Sequence, residues 1–187
     1  MYKRQCNLSR QSTDPQLWSD VDTGTRKKST QIFEEHLEDL QPLIDFVTDR
    51  GRLPRAGEIS NQEALVEIFG SPRAAFSLIR RVTGPGQWEE LEAEARQNFL
   101  VYAALSAFGG RPKFGDLPRD LQHDAKDLFG SYANACAEAD RLLHSIADSD
   151  AIDAACNEAA TGKLTPEALY IHVNYVSDLP PLLRVYE

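Results

Sequence analysis

Signs of self-contained catalysis are scarce in this chain. It holds no glycine-rich loop of the GxGxxG or GxxxxGK[ST] kind, no nucleophile elbow and no HExxH pair. A phosphate cradle, an activated serine and a zinc-peptidase site therefore have no recognisable seat, and no catalytic, cofactor-binding or metal-ligating residue is assigned. Cysteine is sparse and odd in number: Cys6, Cys136 and Cys156, with no CxxC. That fits reduced thiols better than a disulfide frame or a zinc site. No apolar run approaches a membrane span, and no leader pattern opens the chain. The cytoplasm is the expected location, and a membrane is not an expected partner. Basic residues are outnumbered, 20 against 29 acidic ones, for a formal net charge of −9. Such a balance excludes a general polyanion binder and leaves room for one local basic face.

What is present is a helical repeat. Gly51-Arg52-Leu53-Pro54 leads through a short polar link and a helical run to Phe69-Gly70-Ser71, then to a second helical run. Gly110-Arg111-Pro112-Lys113 leads in the same way to Phe129-Gly130-Ser131 and another. Internal repeats set architecture, so this pattern governs the rest. In each copy glycine ends one helix, serine caps the next, and in the first copy Pro72 takes the first helical position, where a missing N–H costs nothing. Each copy is a tight corner of the helix-turn-helix kind.

The expected fold is mainly α: two related corners, residues 51–82 and 110–142, flanking a long helix over 87–108. Residues 1–30 lack periodicity and are expected to form a disordered or non-native tail. Residues 31–161 make the helical domain. Its first stripe is Phe33, Leu37, Leu40, Ile44 and Val47, with Pro42 marking a kink or a fresh start. Asn61 is the expected N-cap of the helix ending at Phe69. Trp88, Leu91, Ala95, Phe99 and Tyr102 form the expected buried stripe of the long helix. Asp116 or Asp120 is expected to cap the helix ending at Phe129, and a further helix covers 150–160. Residues 162–187 read as the truncated start of another segment. Within it, 169–176 alternate with period two and predict one short strand. That strand would set Tyr170, His172 and Asn174 on one polar face, a candidate hydrogen-bonding surface; the plainer reading is an amphipathic edge strand.

Six arginines fall within 50–81: Arg50, Arg52, Arg55, Arg73, Arg80 and Arg81. Arg73, Arg80 and Arg81 lie opposite the apolar face of the second corner helix, where they are candidates for contact with a DNA backbone. The alternative is that they pair with neighbouring acidic helices. The second copy has Glu138, Asp140 and Arg141 on its outward side. The carboxylates are densest at Glu34, Glu35, Glu38 and Asp39, a solvated helix face. His36, His123 and His144 read as surface or satisfied core histidines.

Three segments carry a family resemblance: Arg50-Gly51-Arg52-Leu53-Pro54; Phe69-Gly70-Ser71 with Arg80-Arg81-Val82-Thr83; and Gly162-Lys163-Leu164-Thr165-Pro166-Glu167-Ala168-Leu169-Tyr170-Ile171-His172 running into Leu179-Pro180-Pro181-Leu182-Leu183-Arg184-Val185-Tyr186-Glu187. They resemble the region downstream of the catalytic domain in methyltransferases associated with bacterial DNA phosphorothioation. The resemblance implies a helical accessory region of an S-adenosylmethionine-dependent enzyme of DNA modification. The family's cofactor loop belongs to a Rossmann-like domain nearer the N-terminus, and no residue here matches it. The fragment alone is therefore expected to bind no S-adenosylmethionine and to catalyse nothing. DNA and other proteins of the modification system are the implied partners. The Gly-Arg and Phe-Gly-Ser layout also resembles, in fewer residues, helical repeats beside homing nucleases that grip DNA. A DNA-binding module without enzymatic activity and a protein-docking segment remain as alternatives.

Overall fold

The computed structural model describes residues 23–187. The described part is mainly helical, with one two-stranded antiparallel sheet near the C-terminus. In chain order the α-helices are α1 (Thr23–Glu35), α2 (Leu37–Arg50), α3 (Gln62–Phe69), α4 (Pro72–Thr83), α5 (Gly86–Leu105), α6 (Arg119–Phe129), α7 (Tyr132–Ser145), α8 (Ser149–Glu158) and α9 (Pro181–Tyr186).

Both expected corners are present, α3–α4 and α6–α7. Gly70 and Gly130 adopt φ of 82° and 74°, which a side chain rarely tolerates. The Oγ atoms of Ser71 and Ser131 accept from the backbone N–H of Ala74 and Asn134, each at 3.1 Å. These satisfy helix-terminal donors that would otherwise be orphaned. Asn61 stands before α3, but its Nδ2 donates to the carbonyl of Asp39 instead of its side chain capping the helix. Pro118, not Asp116 or Asp120, precedes α6.

The repeat extends to three helices. α2, α3 and α4 pack together as α5, α6 and α7 do, and the two leading helices, α2 and α5, pack on each other. The arrangement is a short stack of helical units. The first core gathers Phe33, Leu40, Leu43, Val47, Leu65, Ala75, Ile79 and Trp88. Leu40, Leu43, Leu65 and Ile79 are fully buried there, each contributing about 1.5–3 kcal/mol by removal from water. The indole N–H of Trp88 donates to Thr83 Oγ1 at 2.8 Å, and its ring meets Phe76 edge-on at 5.1 Å. The second core centres on Phe99, Val101, Ala103, Ala104, Ala125, Leu128, Phe129, Ala135 and Ala139.

α5 serves both cores, and this alters its expected stripe. Its first half buries Trp88 in the first unit, while its second half buries Phe99, Val101, Ala103 and Ala104 in the second. Tyr102, expected inside, is exposed because the buried side changes along the helix.

Three further expectations are corrected. Helix begins at Thr23, inside the stretch read as a tail, and Ser29 is buried; residues 1–22 lie outside the described residues. The break in the leading helix falls at His36, while Pro42 sits inside α2. The proposed strand over 169–176 reduces to Leu169–Tyr170, paired with Lys163–Leu164. Only that short segment offers ladder hydrogen bonds, so past Tyr170 the chain turns. His172 Nδ1 accepts from the N–H of Asn174 at 3.3 Å and opens a 3-10 helix, Val173–Asp178. Tyr170, His172 and Asn174 therefore do not alternate along one strand face. Residues 162–187 also pack on the helices that precede them, with Val185 of α9 in the second core.

Candidate functional site

The six clustered arginines divide into two groups with different environments. Arg50, Arg52 and Arg55 leave the end of α2 and run along α6 of the second unit. Arg50 bonds to Asp120 and, at 3.0 Å, to Asp124. Arg52 is 6% exposed. Its Nε donates to Asp124 at 2.5 Å, and its two Nη groups grip Glu58 at 2.7 and 2.8 Å. Arg55 donates to Asp127 at 2.5 and 3.2 Å. His123 Nδ1 lies 3.0 Å from Glu58.

This ionic joint explains several titration shifts. The Arg52 hydrogen bonds, aided by His123, hold the Glu58 carboxyl down at about 2 against the opposing effect of burial. Arg50 lowers Asp120 by hydrogen bonding. Asp124 is shifted the other way: burial outweighs its two arginines and raises it. Arg52 is raised by Glu58 and Asp124, against the effect of its own burial. A buried cation with a complete set of acceptors is costly to break, because removing one partner leaves a charge unpaired out of water. Arg52 is withdrawn from solvent, and the three arginines together act as a joint between units.

The chain's spacing carried a signal for this joint. Asp120, Asp124 and Asp127 stand at i, i+4 and i+7 on α6, one acidic line facing a line of three arginines. Reading the carboxylates as solvated faces concealed it. The densest acidic group on α1 and α2 does form an exposed or half-buried face.

The second group is on α4. Arg73 and Arg81 are exposed, and neither has a carboxylate partner among the described residues. Arg80 is half-buried and pairs with Glu89 at the start of α5, 3.0 Å away. The structure thus brings Arg73, Arg80 and Arg81 onto the outer side of the second corner helix, with one of the three already engaged. A pocket of about 240 Å³ lies beside them, lined in part by Gly51, Arg73, Ser77, Arg80, Trp88 and Glu89. Its walls carry both signs of charge.

Two arginines of the second unit pair within it. Arg96 donates to Glu138 at 2.6 and 2.7 Å and to the carbonyl of Leu128, with its guanidinium 4.1 Å from the centre of the Phe129 ring. Arg111 donates to Asp140 at 2.7 Å and to the carbonyl of Ala103 at 3.1 Å. Glu138, read as outward, is tied to α5. His36 and His144 lie near Asp39 and the Asp140 carbonyl, at 3.3 and 2.6 Å.

Cys136 and Cys156 are free thiols, and Cys6 lies outside the described residues. Among the described residues no cluster of His, Cys, Asp and Glu is arranged to hold a metal, and no helix is long and apolar enough to cross a membrane. Comparison with protein-family models, with curated proteins and with solved structures finds no match to this chain.

Proposed function

We propose that this chain is a helical accessory region of an S-adenosylmethionine-dependent methyltransferase linked to DNA phosphorothioation, acting in the cytoplasm as a scaffold and not as the catalyst. The observation that carries the reading is the role of the residues in the resemblance. Gly51 and Arg52 make the joint between units, and Phe69-Gly70-Ser71 makes the corner. The residues of the first two resembling segments thus specify an architecture. Calorimetric titration with S-adenosylmethionine tests this. No binding is expected from this chain, and saturable binding would overturn the reading.

A second reading is favoured by one specific observation: Arg73 and Arg81 are exposed without a carboxylate partner on the corner helix. In this reading α4 contacts the phosphate backbone of duplex DNA. Affinity is then expected to fall with salt, and each lost phosphate contact is expected to lower the log–log slope by about 0.9. A weak affinity that ignores both salt and the pair Arg73→Ala and Arg81→Ala would remove this reading.

A further inference from the structure

The three arginines of α4 are not equally available. Arg73 and Arg81 are exposed and have no carboxylate partner among the described residues. Arg80 is held by Glu89, with 3.0 Å between Nη2 and Oε1. Both side chains of that pair stay open to water, at 41% for Arg80 and 67% for Glu89. An ion pair this exposed is weak and screened by salt. An incoming anion can displace it, because a guanidinium bonds phosphate oxygens as readily as carboxylate oxygens.

Glu89 does not depend on Arg80 for its place. It lies in the first turn of α5, where a negative charge suits the helix N-terminus. Its neighbour Trp88 is buried in the first core and donates to Thr83, which fixes this end of α5 against α4. The carboxylate is thus preset beside Arg80.

Arg73 and Arg80 stand seven positions apart, two turns along one side of α4, and both line the cleft bordered by α4 and α5. Ser77 lies between them, but its hydroxyl donates to the Arg73 carbonyl at 2.9 Å. The two guanidiniums are therefore the side-chain donors on the α4 wall. The α5 wall carries Glu89 and Glu92. One wall attracts a phosphate and the other repels it, and of the two acids Glu89 is the one bonded to an arginine among the described residues. The second unit has no counterpart of this pair. Sixty positions on, Asp140 stands in the place of Arg80 and Ser149 in the place of Glu89, and Asp140 is taken by Arg111.

We propose that Glu89 is an intramolecular competitor for the DNA backbone. It occupies Arg80 in the free chain and yields it to a phosphate, which then lies against Arg73 and Arg80. This regulation rests on the reading of α4 as a contact for duplex DNA. Breaking the Arg80–Glu89 pair is part of binding, so Glu89 lowers the affinity of this face through Arg80.

The test is the binding of the whole chain to a fluorescein-labelled, random-sequence DNA duplex, followed by anisotropy at about 50 mM salt, where exposed charges are little screened. Glu89→Gln is expected to tighten binding about fivefold, the most that release of one exposed pair supports. In the Arg80→Ala background the same substitution is expected to change affinity by less than about twofold, because the pair is already gone. Glu90→Gln removes a neighbouring charge that does not line the cleft, and its effect is expected to stay below about twofold as well. The substituted side chains are exposed or half-buried, so circular dichroism of each variant should match the parent. A gain from Glu89→Gln that persists without Arg80 is general repulsion and overturns the proposal. No gain, in a chain whose binding weakens with salt and with Arg73→Ala and Arg81→Ala, also overturns it and leaves the DNA reading of α4 standing. Absence of binding in the parent and in every variant removes both.

Discussion

The two helical units share a corner and part ways at the glycine–arginine pair before it. In the first unit Gly51 touches α5 and Arg52 is buried among carboxylates of both units. In the second, Gly110 is open and Arg111 is tied back to Asp140 of its own unit. One local motif thus serves as a joint between units in one place and as a clasp within a unit in the other. The difference arises from the helices that the chain brings next. α5 and α6 supply a small residue and three aspartates to the first motif. The segments after α7 bring no such pair to the second.

The largest expected effect separates the two arginines. Asp124→Ala strips the buried Arg52 of a partner and is expected to cost about 3–5 kcal/mol of stability. Asp140→Ala removes a solvent-screened carboxylate from Arg111, and its cost is expected to be far smaller. Urea denaturation of both variants measures the contrast, and equal losses would erase the distinction between joint and clasp.

The glycines come next. Gly51→Ala meets both a left-handed backbone and a collision with α5, for about 3 kcal/mol. Gly110→Ala meets only the backbone term, about 1 kcal/mol. Thermal melts of the pair should differ accordingly.

Where the units agree, their variants should agree too. Ser71→Ala and Ser131→Ala each lose one N-cap bond of 3.1 Å, and each is expected to cost about 1 kcal/mol. A large disparity would show that the corners are unequal in a way their geometry does not express.

Acid should loosen the joint by the smallest increments. The folded value of Glu58, about 2, lies below its ordinary 4.5. Its stabilisation is therefore complete above about 4.5 and is lost as pH falls toward 2. Asp120, lowered by Arg50, acts in the same direction. Asp124, raised by burial, opposes them, since protonation relieves its desolvation. The gap in melting temperature between the parent and Glu58→Gln should shrink over that range. A gap that widens on acidification would contradict the assigned sign.

The candidate site was legible only in its local part. Arg73, Arg80 and Arg81 could be placed on the outer side of α4 from helical period alone. That Arg80 is engaged by Glu89, and that Arg50, Arg52 and Arg55 are consumed by α6, required knowing which distant carboxylates come near. The misplaced strand has a similar origin. The alternation of 169–176 is a local pattern, but a ladder needs a second strand, and only Lys163–Leu164 supplies one.

The two corners with their glycine stops and serine caps came from the order of residues, because glycine and serine act through their own backbone and that of the next turn, whereas the caps expected at Asn61 and at Asp116 or Asp120 did not form. Phe-Gly-Ser announces the same corner twice. The pairing of units was settled in three dimensions. Ion pairs between residues about seventy positions apart and the change of buried side along α5 depend on which helices meet. Side-chain period within one segment specifies a face, but the partner of that face comes from elsewhere in the chain.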